Sequence, residues 1–255
     1  ATGNFVALAD ILNGGSAPTG GLQPLTIPVG GTTPSQRVLR NGCDRLVMIW
    51  DHGPDGLRQE VTFGTYRELT ERSRLFDKLA VMRGWQASMT GLTEPERLDG
   101  QRVTANYFQA LGVLPAIGRA FDSPDDRTGG PRAVIVSSAL CQRRYGGDHS
   151  IIGQQITLDD NTYSVIGVMP ATFENILIPS ADIWTLLQYD ASLPSFESRE
   201  WGHHLRMVGR LNAGVTNQQA TQELQAIGGT QISQFSRPPW AAFEQGLIVD
   251  SLKDE

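Results

Sequence analysis

Four histidines, two cysteines and several carboxylate clusters are the residues of this 255-residue chain that could do chemistry. His203 and His204 are adjacent, so on a strand their rings point to opposite faces and cannot share a metal. His52 and His149 sit in other segments, and with Cys43 and Cys141 they give no zinc-ligand spacing. The stretch "FDSPDDRTGG" (121–130) brings Asp122, Asp125 and Asp126 together but lacks the alternating oxygens and distal acid of a calcium loop; it reads as a polar surface loop. Glu94, Glu96 and Asp99 bracket Pro95 in what reads as a turn. Arg143 and Arg144, beside Tyr145, could hold an anion, but an exposed helix end explains them as well. No serine occupies a G-x-S-x-G elbow, "GGTTPSQ" lacks the lysine of a phosphate loop, and no G-x-G-x-x-G follows a strand. The residues therefore nominate no catalytic, cofactor-binding or metal site, and enzymatic activity has no support.

The totals exclude further classes. A net charge of −6 argues against nucleic acid and against anionic lipid surfaces. No apolar run reaches the roughly 18–20 residues needed to cross a bilayer. "FVALADIL", near the start, contains Asp10 and has no basic stretch before it, so it does not read as a secretory signal. The chain begins without Met, as a fragment or processed form would. Cys43 and Cys141 can be a bridge or two separate, partly buried thiols.

The elements that would position any site come next. Residues 13–34 carry six Gly and four Pro among 22 residues, a density that no helix or strand survives. Residues 1–40 are accordingly expected to be an arm or linker. "DRLVMIW" (44–50) reads as a strand, and "TFGTYRELTERSRLFDKLA" as a helix with Tyr66, Leu69, Phe76 and Leu79 on one face. "AVMRGWQASM" reads as the next strand. The pattern returns late in the chain. "HLRMVGRL" (204–211) alternates as a half-buried strand, and a helix with Thr216 and Gln219 in capping-box spacing follows. "GLIVDSL" (246–252) closes the unit. Two distant β-α-β units can form one four-stranded sheet with both helices on a single face, the split βαβ arrangement.

Between them the texture changes. Strand "ERLDGQRVTA" leads to helix "NYFQALG", with Tyr107, Phe108 and Leu111 clustered and Gly112 as its stop. Strand "AVIVS" enters helix "SALCQRRYGG", capped by Ser137 or Ser138. "QQITLDDNTYSVIGVMP" is a hairpin turning at Asp159–Asn161, and "ADIWTLL" is another strand. The expected fold is α+β, with residues 41–90 and 204–255 forming the split βαβ subdomain and 91–203 an inserted α+β subdomain.

"EPERLDGQRVTANYFQALGVLPAIGRAF" (94–121) resembles a signature of the extracytoplasmic core domain of MacB-type ABC transporter permeases, above all the large acidobacterial family of them. "VIVSSALCQRRYGGDHSIIGQQITLDDNTYSVIGVMPATF", "ADIWTLL" and "LRMVGRLNAGVTNQQATQELQAI" continue the likeness in order, over roughly residues 44–252. Two positions depart from it: Cys141 stands where the family commonly has Trp, and Asn161 where it commonly has Gly.

The resemblance implies a ferredoxin-like, porter-like subdomain and a sabre-like insert, placed at the periplasmic face of the inner membrane between two transmembrane helices. It implies a non-catalytic role without cofactor: relaying ATP-driven movement from a cytoplasmic ABC ATPase to a periplasmic adaptor or lipoprotein, in efflux or in lipoprotein or peptide export. The permease would be a dimer and the isolated domain a monomer. On this reading Tyr107, Phe108 and Leu111 pack a subdomain while Gly118 and Arg119 shape a loop. The alternative is a stand-alone periplasmic ligand-binding module, which would need a deep apolar pocket. A hydrolase assembled from distant residues would need strongly perturbed ionisable groups in a cleft.

Overall fold

The computed structural model describes residues 45–53, 56–91, 94–175, 177–189, 202–235, 237–241 and 246–252. The expected arm (1–40) and Cys43 lie outside them. In chain order the elements are β1 (Leu46–His52), β2 (Arg58–Gln59), α1 (Phe63–Arg72), β3 (Phe76–Thr90), β4 (Glu96–Val103), α2 (Tyr107–Leu111), β5 (Ile117–Gly118), β6 (Ala133–Val136), α3 (Ser138–Tyr145), β7 (Gln155–Leu158), β8 (Asn161–Val168), β9 (Ile183–Leu186), β10 (Arg206–Leu211), α4 (Asn217–Gly228) and β11 (Leu247–Ser251). The fold is α+β.

Strands β11-β1-β10-β3 are neighbours in that order and every pairing is antiparallel. Numbered within the two β-α-β units, the order is 4-1-3-2, that of a split βαβ sheet. Side-chain alternation gives the sheet two apolar faces. Val47, Ile49, Leu79, Val81 and Met207 bury against Leu69 of α1 and Ala220, Leu224 and Ile227 of α4. Thr62 caps α1 by accepting from the Thr65 amide, and Thr216 with Gln219 forms the full capping box on α4.

The helix expected to run from residue 62 to 80 stops at Arg72. Ser73 turns extended, and Glu223 of α4 accepts hydrogen bonds from the Ser73 hydroxyl and the Arg74 amide. Phe76 and Leu79, expected on the helix, lie in β3. Their three-residue spacing imitates a helical period because the pairing jumps from Lys78–Arg210 to Phe76–Leu211, so Asp77 is an extra residue on β3. The bulge returns Phe76 to the face of Leu79.

At 15 residues, β3 outlasts its partner β10. Residues 76–82 pair with β10, and residues 82–89 pair with β4 on the other edge. From there β4 pairs with β9, β9 with β6, β6 with β8 and β8 with β7. Strand β7 comes back to β3 through Met89–Leu158 and Thr90–Thr157, so six strands close into a ring. Ala87, Met89, Leu98, Val134, Val136, Leu158, Val165 and Ile183 fill it, with Leu140 and Cys141 of α3 in the same core. Cys141 is a free, buried thiol whose pKa burial pushes up.

A third core joins the two parts. Leu46, Met48, Ala80, Met82 and Val208, on the face of the split βαβ sheet opposite α1 and α4, bury against Tyr107, Phe108 and Ala110 of α2. Ala133, Ile135, Trp184 and Leu186, on the outer wall of the ring, complete it. The β7–β8 hairpin turns through Asp159 and Asp160, both left-handed (φ 48° and 60°). Asn161, expected within the turn, is instead the first residue of β8, paired with Leu158.

Candidate functional site

The chemistry-bearing residues are mostly spent on one another. His203 and His204 precede β10 rather than lying on it, and they face different partners. His203 Nε2 lies 3.4 Å from Asp51, and His204 Nε2 is 2.8 Å from the Tyr189 hydroxyl. Glu96, read both at the edge of a turn and as the first residue of strand "ERLDGQRVTA", begins β4. There Arg143 donates to it at 2.9 Å and Arg144 also pairs with it, while Arg143 reaches Asp182 at 2.7 Å. Burial acts to raise the Glu96 carboxyl, but the Arg144 and Arg143 guanidiniums outweigh it and hold the pKa below the ordinary value. The two arginines thus tie α3 to β4, and Arg143 also ties it to Asp182 just before β9; they are not an open anion site. Asp99 is also in β4 and accepts from Gln86 at 3.0 Å.

The 121–130 loop is not simply a polar surface loop. Arg119 grips buried Asp125 with two bonds, of 2.5 and 3.1 Å, and holds its carboxyl below the usual range. Asp126 accepts from the backbone amides of Ala105 (2.8 Å) and Gln188 (3.0 Å). Desolvation pushes its pKa up to about 6 despite those bonds. Among the described residues no group of three or more His, Cys, Asp or Glu could hold a metal ion.

What the segment 100–126 builds is a junction. Where β4 leaves β3, the β3 edge would lose its partners. Thr104 replaces them: its amide donates to Val81 O (3.0 Å) and its hydroxyl accepts from Val81 N (3.1 Å). Asn106 continues the mimicry by donating to Leu79 O at 2.5 Å. Gln101 is buried, and its amide oxygen accepts from Trp184 Nε1 (2.6 Å), Asn175 Nδ2 (2.6 Å) and the Tyr107 hydroxyl (3.3 Å). Burial pushes the Tyr107 phenol well up. Gly112 is left-handed (φ 74°) and ends α2, and buried Arg210 of β10 lies against it, donating to Ala110 O at 2.7 Å. Gly118 has φ 79°, and a Cβ there would come within 2.2 Å of Ile166 O.

A pocket of about 270 Å³ opens between the start of α3 and the 169–184 segment. Its apolar wall is Met169, Phe173 and Trp184. On its polar side Ser137 donates to Asp182 at 2.6 Å and caps α3. It is smaller than the roughly 300–1,000 Å³ of small-molecule sites.

The sequence pattern of the MacB-like periplasmic core domain matches residues 32–227. The chain belongs to that family. Its MacB-like core is also similar to solved structures. One is the periplasmic region of MacB from Actinobacillus actinomycetemcomitans, with a TM-score of 0.59 at 10% identity, covering 86% of this chain and 95% of that one. A domain of a putative permease protein from Porphyromonas gingivalis gives 0.55 at 15% identity, covering 81% and 87%. The extracellular domain of the noncanonic ABC-type transporter YknZ from Gram-positive bacteria gives 0.52 at 12% identity, covering 72% and 90%. At these identities the structures show a shared fold. No curated protein matches the chain. Among the described residues no helix is long and apolar enough to cross a membrane.

Sequence reasoning missed several residues of the MacB-like junction: Gln101, Thr104, Asn106 and Arg210. Arg210 gave little signal, because the alternation of β10 groups it with exposed Arg206, and only Val208 between them marks that side as apolar.

Proposed function

We propose that this domain is non-catalytic and relays ATP-driven movement of a permease's membrane helices to a periplasmic partner or substrate. In this reading residues 41–90 and 204–255 are the porter-like part and 91–203 the sabre-like insert. The energy comes from a cytoplasmic ABC ATPase acting through the full permease. The partner is a periplasmic adaptor or a lipoprotein, the permease is a dimer, and the isolated domain is a monomer. The observation that carries the proposal is β3, which begins in the split βαβ sheet and ends in the wall of the ring. The side-chain chemistry is consistent with it, because the acids and arginines described above are engaged in holding elements together.

The test is capture from periplasmic and membrane extracts on the immobilised domain, followed by mass spectrometry. Recovery of an adaptor or lipoprotein supports relay. A co-purifying small molecule without any protein would favour a ligand-binding module instead.

A further inference from the structure

Three kinds of contact join the split βαβ sheet to the ring, and each resists a different motion. The first is β3 itself, hydrogen-bonded to β10 through Met82 and to β4 from Met82 onward. Bending there would break ladder bonds on one edge or the other. The second is the edge mimicry of Thr104 and Asn106, which pins the start of α2 to β3 at Val81 and Leu79. The third is the shared apolar core, into which β10 sends Arg210 to seize Ala110 O from the opposite side. Twisting the two parts about β3 would pull that guanidinium off a buried carbonyl and open apolar surface to water.

We infer that the split βαβ sheet and the ring move as one body, so that displacement applied to the sheet reaches the ring without an internal hinge. Given the relay reading on which its consequence rests, the ring then works as a lever arm. Its travel is set by the rotation of the sheet and not by flexing within the domain.

The experiment places nitroxide labels at Gln222→Cys on α4 and Gln155→Cys on β7, both exposed, in a Cys43→Ser, Cys141→Ala background. Pulsed electron resonance reads their separation within one protomer, in the chain alone and in full permease assembled with an excess of unlabelled, cysteine-replaced protomers, with and without ATP. The expected result is one narrow distribution, the same in all three samples. Two resolved distances, or a mean that changes with ATP, would overturn the inference. A second pair, Gln222→Cys with Gln142→Cys on α3, guards against local disturbance at β7 and should behave identically. A fixed separation with no partner captured would leave rigidity standing and remove the relay reading.

Discussion

Arg210 Nε donates to Ala110 O at 2.7 Å, and a Cβ added to Gly112 would fall 2.5 Å from Arg210 Nη2. The glycine that ends α2 therefore serves two purposes at once. It accepts the left-handed backbone and leaves space for a guanidinium arriving from a strand about 100 residues later.

Two variants follow from this contact. Arg210→Met removes a charged donor from a buried carbonyl and should cost about 2–3 kcal/mol. Gly112→Ala adds backbone strain to the collision and should cost about 1–3 kcal/mol. The double variant should cost less than the sum, because without Arg210 the methyl has nothing to strike. Urea midpoints measured for all three proteins check it; strict additivity would show that the two residues act separately.

Gln101→Leu keeps the volume of the side chain but strands the Trp184 indole N–H and the Asn175 amide in the core. A loss of about 2–3 kcal/mol is expected, with an unchanged denaturant slope. A neutral result in equilibrium unfolding would mean that water satisfies those donors.

Asp126 gives the domain a pH signature. Its pKa rises from 3.8 to about 6 on folding, so in that window the folded state binds more protons than the unfolded one. Stability from this group is greatest in acid, falls as pH rises from about 4 to about 6, and is flat above that. The swing is on the order of 2–3 kcal/mol. Asp126→Asn should remove that part of the slope. Unfolding curves across the window, compared between the two proteins, check it, and parallel profiles would contradict the assignment.

Glu96 behaves with the opposite sign, since its pKa is lowered by Arg144 and Arg143 despite burial. Its contribution is present above the ordinary carboxylate pKa and lost as pH falls through the folded value. Glu96→Gln should cost about 0.5–1 kcal/mol at neutral pH, and less in high salt. A salt series on both proteins measures this.

Much of the fold could be read from the chain because its signals are local. Alternation along 204–211, the Thr216–Gln219 capping box and the Gly112 stop each act within one element. Where reading failed, a distant partner had decided the outcome. α1 ends early because Glu223 of α4 takes the Ser73 and Arg74 donors, and Phe76 changes element because Leu211 offers it a strand. Asp125 and Asp126 looked like surface residues because Arg119 and the Ala105 and Gln188 amides that bury them leave no mark on the loop's own composition. The junction was legible as a motif but not as a mechanism, since Thr104, Asn106 and Arg210 act on backbone atoms that carry no sequence signal.

The most direct test of the relay is a distance across the permease dimer. With a single label at Gln222→Cys in the same cysteine-replaced background, the full permease and its ATPase are examined without nucleotide, with ATP and after hydrolysis. The account predicts that the separation between the two domains changes with nucleotide state. A separation identical in all three states would contradict it.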